Sequence, residues 1–562
     1  MPVTTRSPES VASTELDGLF VGRKRTPAPA TALVGALLAV VAFAAFAHGA
    51  THVRSEGPLQ AGVALVFVIA TAVWLWHGRL ALAVPATAWT GLALLAAFTV
   101  WTGITLAWSV APDRTWIELN RAIAYVLIVL LAFAAGSWHE RALEQVTIGY
   151  LCLAVVVALY ALGGKIAPGL HLDGLINLNQ TSVIPRLRGP VQYWNALAML
   201  MVLAVPPALR VAVDEGRGLQ PRLAALLGLC VIVVALGLTY SRGGVLALIV
   251  CLAVLLVLTG PRLRMLLAFA LALAGAIAPL AYAFSQHSLT DGLVALSKRE
   301  RPGLVLGVIL LASLAGLAFA GRAVFASEQR VTLGPERARK VALALVVAAA
   351  LALVGGTVAV AASHRGLTGS ISHQWHSFTR AKGDQAALNP AHLLSVNSSN
   401  RWVWWEEAVG AWSDRPLRGW GAGSFPVLHL QYRKNGLNVQ QPHSVPLQFL
   451  AETGAVGALL AMGGLVLLLV AAWRVVRRTA EPARRGLTAA LTAGAAAWLV
   501  HGLYEWDWDF PGVLIPGLVF LGVVAGSSGA RRSGVLLAGR SGRALALAGA
   551  IAPLAYAFSQ HS

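Results

Sequence analysis

Runs of roughly 17–25 apolar residues recur along the chain, separated by short polar turns, and runs of that length predict membrane-crossing helices. They fall near 31–47, 61–76, 81–107, 122–136, 144–163, 194–212, 222–239, 244–259, 266–284, 303–320, 341–362, 447–472, 486–502 and 512–527. The pattern predicts an all-α polytopic membrane protein with about 14 transmembrane helices. One interruption is long. Residues 363–445 form a polar, turn-rich island between spans 11 and 12, with six of the 14 histidines, six of the 18 tryptophans and eight Lys/Arg against four Asp/Glu. Lipid-facing helices offer little polar chemistry, so recognition and catalysis are expected at this island.

Composition supports the pattern. The chain is 57% hydrophobic and 12% charged, with a mean hydropathy of +0.70; a soluble domain carries about 25% charged residues. A net charge of +19 raises nucleic acid as a partner. No nucleic-acid motif accompanies it and the charges lie between helices, which points to anionic lipid head groups or a phosphorylated substrate. Cys152, Cys230 and Cys251 all sit in apolar runs, as small core residues do. With the N-terminus inside, the inner segments hold 25 Lys/Arg and the outer ones, apart from the island, hold 10. That asymmetry puts the island on the outer face of the cytoplasmic membrane.

The expected organisation is a disordered cytoplasmic tail over 1–30, helices over 31–362, an external catalytic loop over 363–445, three helices over 446–527, and a basic tail over 528–562. The tail ends in a copy of an earlier stretch: 270–288 recurs as 544–562. Its period and copy number do not suit a repeat architecture, and no mechanism rests on it.

Three separated features fall on the outer face of this topology. Arg186-Leu187-Arg188-Gly189-Pro190 precedes a span that starts near Tyr193-Trp194-Asn195. Tyr240-Ser241-Arg242-Gly243-Gly244 fills a very short turn between two spans, and Gln441-Pro442-His443-Ser444 leads into the span after the island. Interfacial arginines commonly anchor helices by reaching for head groups. Arg242 differs, because two following glycines allow close backbone approach and expose the N–H groups of a helix start to an anion. Guanidinium suits phosphate oxygens through its bidentate fork.

Ser241-Arg242-Gly243-Gly244-Val245-Leu246-Ala247-Leu248 resembles the SRGG-type motif of the bacterial O-antigen ligase and polymerase family. Asn400-Arg401-Trp402, the run from Pro416-Leu417-Arg418-Gly419-Trp420-Gly421 through Ala422-Gly423-Ser424-Phe425, Pro442-His443-Ser444 and Glu452-Thr453-Gly454 resemble that family's large external loop. Residues 186–195 resemble its upstream arginine segment. The resemblance implies transfer of a glycan from an undecaprenyl-pyrophosphate carrier to an acceptor hydroxyl on a glycan, lipid or protein, with no metal or other cofactor. It assigns pyrophosphate binding to Arg242 and either Arg188 or Arg186, and activation of the acceptor to His443. Ser241, Gly243, Arg401 and Trp420 would contact substrate. One departure stands out: the family's His-Asn is His443-Ser444 here, which leaves the partner of the imidazole open.

Other groupings have plainer readings. Trp402, Trp404, Trp405 and Trp412 fall on a predicted helix over 400–413, suited to stacking on sugar rings or to the membrane interface. Gly419 to Gly423 reads as a tight turn. Glu505 and Asp507-Trp508-Asp509 resemble a metal-binding acidic motif, but their outer position favours a structural or supporting role near the site. His373 and His376 lack a third ligand for zinc. A polysaccharide polymerase shares this donor and topology. A lipid-glycan flippase would instead require charges inside helices and an internal repeat of spans, and a non-catalytic adaptor would need no such polar arrangement.

Overall fold

The computed structural model describes residues 28–77, 82–173, 176–179, 182–328, 364–380, 393, 396–434 and 436–529. Both tails, the repeated C-terminal stretch, the expected span over 341–362 and His392 lie outside them. Among the described residues ten long helices precede the island: α1 (Ala28–Phe46), α2 (Val53–His77), α3 (Ala86–Thr105), α4 (Pro112–Trp138), α5 (Ala142–Ile166), α6 (Trp194–Ala212), α7 (Leu219–Leu238), α8 (Arg242–Leu258), α9 (Arg262–Ser285) and α10 (Leu296–Glu328). The island contributes α11 (Gly366–Thr379), α12 (Arg401–Asp414) and α13 (Phe425–Tyr432). Then come α14 (Val445–Arg478), α15 (Pro482–His501) and α16 (Pro511–Gly526). A two-residue ladder pairs His171 with Asn177 and Leu172 with Ile176.

Every expected span within the described residues falls on a helix, because uninterrupted apolar sequence leaves the backbone no hydrogen-bond partners but its own. By length and hydropathy, nine of these helices can cross a membrane; α1, α8 and α16 are apolar but shorter. Among the described residues these criteria do not confirm the count of about 14. Several helices also start earlier than expected. The run over 122–136 is the apolar part of α4, whose first turns carry Arg114, Glu118 and Arg121. That corrects the expectation that the charges lie between helices, since a helix continues past the end of its apolar run wherever its polar turns find partners.

Helices α6 and α16 form the centre. Every residue of α16 is buried, as is every residue of α6 after Trp194. The others wrap them at distances set by small residues: a Cβ on Gly91 of α3 would lie 2.9 Å from the Gly464 carbonyl of α14. Between apolar helices in lipid, close backbone approach of this kind replaces the hydrophobic driving force. α6, α8, α14 and α16 all begin at the same end of the bundle, where the island packs. The Val445 amide donates to the Gly502 carbonyl at 2.8 Å, and Tyr193 packs on Phe510 at 6.1 Å. Their N-terminal dipoles make that end electropositive.

Near its start α14 is broken. Gly454 adopts φ 68°, ψ −175°, a region essentially closed to other residues. The island's turn docks into the break. Gly421 N donates to the Glu452 carbonyl (2.8 Å) and Ala455 N to the Pro416 carbonyl (2.8 Å). The Glu452 carboxylate accepts from the amides of Gly423 (2.9 Å) and Phe425 (3.1 Å), the start of α13. Gly419, Gly421 and Gly423 have positive φ, so the Gly-rich run is a tight turn that locks the island to α14.

Candidate active site

The turn Tyr240-Ser241 joins α7 to α8, with Tyr240 at φ 51°. Ser241 caps α8: its Oγ accepts from Gly244 N at 3.0 Å. The same hydroxyl donates to Asn195 Oδ1 at 2.7 Å, tying the start of α8 to the start of α6. A Cβ on Gly244 would lie 2.6 Å from Cβ of Ala198, so only glycine lets α8 approach α6 so closely. Arg242, the first residue of α8, donates to Ser399 Oγ at 3.2 Å in the turn before α12. The Tyr504 hydroxyl donates to the Gly243 carbonyl at 3.0 Å.

Asn195 leads to the centre of the site. Its amide donates to Glu505 Oε1 at 2.7 Å, and Arg401 of α12 pairs with the same oxygen. Glu505 Oε2 accepts from the Tyr193 hydroxyl at 2.8 Å and from His443 Nδ1 at 3.2 Å. A carboxylate only accepts, so Nδ1 carries the proton and the Nε2 lone pair is left for a substrate. The imidazole stacks on Trp404 (5.1 Å, 21°), and Trp405 Nε1 donates to the His443 carbonyl at 3.2 Å. With φ at 54°, the His443 backbone is held in the left-handed region, and these contacts fix the ring.

The electrostatics follow from this packing. Glu505 is 1% exposed. Burial alone would raise its pKa, but Arg401, then His443 and His501, bring it down to about 2. Burial lowers the pKa of His443, with Glu505 opposing and Arg401 adding to the fall. Arg186 is brought down to about 10 chiefly by burial, with Arg401 contributing, and it remains a cation at neutral pH. Its guanidinium lies over Trp194 at 5.1 Å. Arg242 is within electrostatic reach of both Arg401 and Arg186. The Arg401–Glu505 pair beside the imidazole thus has two further guanidiniums, Arg186 and Arg242, within electrostatic reach of Arg401.

The sequence candidates divide on this geometry. Arg186, Ser241, Arg242, Gly243, Arg401 and His443 come together. Arg188 lines a small cleft together with Arg186, Lys165 and Arg299, and burial lowers its pKa; among the described contacts none joins the Arg188 side chain to the Glu505 cluster. Trp420 is part of the island's own core: its Nε1 donates to the Ala411 carbonyl at 2.7 Å and Arg415 covers its ring at 3.7 Å. Glu505 is the hub, and sequence reasoning gave it only a supporting part. Asn195 and Tyr193 lie in the 186–195 segment of resemblance and at the start of a span, and the sequence assigns neither a role of its own. His501 adds a second buried pair, with its Nδ1 at 2.8 Å from Asp507. His373 and His376 lie on α11. Among the described residues no group of three or more His, Cys, Asp or Glu is placed to hold a metal ion.

Fold and site together define a multi-pass helical membrane protein whose titratable residues converge at one end of the bundle. Residues 299–462, from α10 into α14, match the family model for O-antigen ligase. No curated protein matches the chain. Arg186, Arg242 and Glu505 lie outside the matched segment, yet they surround its Arg401 and His443.

Proposed function

We propose that the chain transfers a glycan from an undecaprenyl-pyrophosphate carrier to an acceptor hydroxyl, on the outer face of the cytoplasmic membrane. The observation that carries this reading is His443 held by Glu505 through Nδ1, beside Arg186, Arg242 and Arg401. The arginines bind the pyrophosphate and meet the charge that develops as it leaves. Nε2 of His443 takes the proton of the attacking hydroxyl. The new bond from the acceptor oxygen to the anomeric carbon forms as the bond to the pyrophosphate oxygen breaks, inverting that carbon. Glu505 holds the imidazole in the required tautomer and stabilises the imidazolium.

Purified protein in detergent, given a lipid-pyrophosphate glycan and EDTA, tests the reading. Wild type is expected to release lipid pyrophosphate and extend the acceptor, while His443→Ala and Arg242→Ala do not. A single addition identifies a ligase; a ladder of products identifies a polymerase. Equal transfer by the variants overturns the assignment.

A further inference from the structure

The island has a buried acid–imidazole pair of its own. Glu407 of α12 and His429 of α13 are 3% and 0% exposed, and His429 Nδ1 lies 2.7 Å from Glu407 Oε2. On the other side of the ring, Nε2 lies 2.6 Å from the Leu437 carbonyl. Phe425 stacks on the imidazole at 6.4 Å, and with Ala408, Ala411, Leu428, Val439 and Ala451 it forms the island's apolar core.

A carbonyl oxygen only accepts, so Nε2 carries a proton. A second proton must lie between Nδ1 and Glu407 Oε2, because two lone pairs do not meet at hydrogen-bond distance in an apolar core. The pair so formed is net neutral, as its surroundings require: burial raises the Glu407 pKa, with His429 opposing the rise. The imidazole therefore pins together α12, α13 and the segment that runs from Leu437 to His443. The other end of that segment meets the same helix. Trp404, three residues before Glu407 and on the same face of α12, stacks on the His443 ring at 5.1 Å, and Trp405 Nε1 donates to the His443 carbonyl.

We infer that Glu407 and His429 are positioning residues of the proposed transferase: the proton between them fastens the segment ending at His443 to α12, and so fixes where the His443 ring stands against Glu505 and Arg401. Neither residue touches that ring. The segment needs such support, because His443 sits at φ 54°, a conformation that persists only where the surroundings impose it. Arg401 begins the helix that bears Glu407, and it pairs with the carboxylate that holds His443 Nδ1 at 3.2 Å. A slip of the segment along α12 is therefore a slip of the base away from its carboxylate, and small misplacements of a reacting group are expensive.

The inference rests on the transferase reading, and one of its two readouts needs no turnover. Glu407→Gln puts an amide N–H where the shared proton lies, with His429 neutral and Nε2 still donating to Leu437; Glu407→Leu keeps the bulk and removes the bond. In the full chain in detergent, Glu407→Leu is expected to lower kcat about tenfold while the donor KM stays within about twofold of wild type. Glu407→Gln is expected to restore kcat to within about twofold. The second readout is maleimide labelling of Val439→Cys, at the buried position of the segment, relative to Asn438→Cys at the exposed one beside it, each read on the peptide that holds it. That ratio is expected to rise about tenfold with Glu407→Leu and to hold with Glu407→Gln. Glu407→Ala carries both readouts if Glu407→Leu does not fold. Equal kcat in the Gln and Leu variants, a loss that falls on the donor KM, or an unchanged labelling ratio overturns the inference. Wild type that transfers nothing, with labelling as expected, would retain the pin and remove the transferase reading.

Discussion

Glu452 and Glu505 are two buried glutamates, 3% and 1% exposed, each within a motif-rich segment beside the island. Their partners differ in kind. Glu452 accepts from two backbone amides and holds a turn against a broken helix. Glu505 accepts from four side chains, of which His443 and Arg401 are themselves partly exposed. A carboxylate satisfied by backbone fixes a fold. One satisfied by titratable side chains sets their charge and orientation, and so carries chemistry.

The structural half of this contrast is broken most severely at Gly454. Any side chain there is strained by the backbone, and a Cβ would overlap the Leu417 carbonyl. Gly454→Val is expected to cost about 3 kcal/mol or more, read as loss of monodisperse protein and a lower melting temperature. Undiminished stability would mean the island is not locked at the break. On the other side, Glu505→Gln keeps shape while removing charge. It is expected to reduce transfer about 100-fold, a typical contribution of a group that orients an acid–base residue, with a much smaller change in melting temperature than Gly454→Val. A rate within twofold of wild type would reduce Glu505 to a structural acid like Glu452.

The arginines sharpen the same division. Arg186→Lys and Arg242→Lys keep the charge but lose the fork, and each is expected to raise the KM for the lipid-pyrophosphate donor about tenfold. Arg188→Lys is expected to leave it within twofold. The reverse order would assign the pyrophosphate to Arg188 in place of Arg186.

Much of the bundle was legible because a lipid-exposed backbone must be helical, and apolar length alone reports that. The charged first turns of α4 were not, since hydropathy stops at Arg121 while the helix continues outward, held by Glu56 and Asp509. Within the site, Arg242 and His443 stood out because short motifs surround them. Glu505 stands out only as a supporting acid, because its partners lie 62 residues away at His443 and about 310 away at Asn195. Only the packing of α6 against the loop before α16 brings them together. Local spacing also could not separate Arg186 from Arg188; in the structure the cluster holds Arg186, with its guanidinium over Trp194.

The subtlest expected effect lies in the pH dependence. As a base, His443 must be neutral, and its pKa lies below the ordinary histidine value because burial outweighs the pull of Glu505. The acid limb of kcat/KM is therefore expected below about 6.5, with transfer flat through neutrality. Replacing Glu505 with Gln removes the charge that favours the imidazolium, so the limb moves to still lower pH even as the rate falls. Arg401→Gln removes a repelling cation, and the limb moves up. Rate is lost in both variants while the limb shifts in opposite directions, a pattern that simple loss of folded protein does not produce. A pH–rate profile of the three proteins reads it directly, and shifts of one sign in both would separate His443 from Glu505 as a working pair.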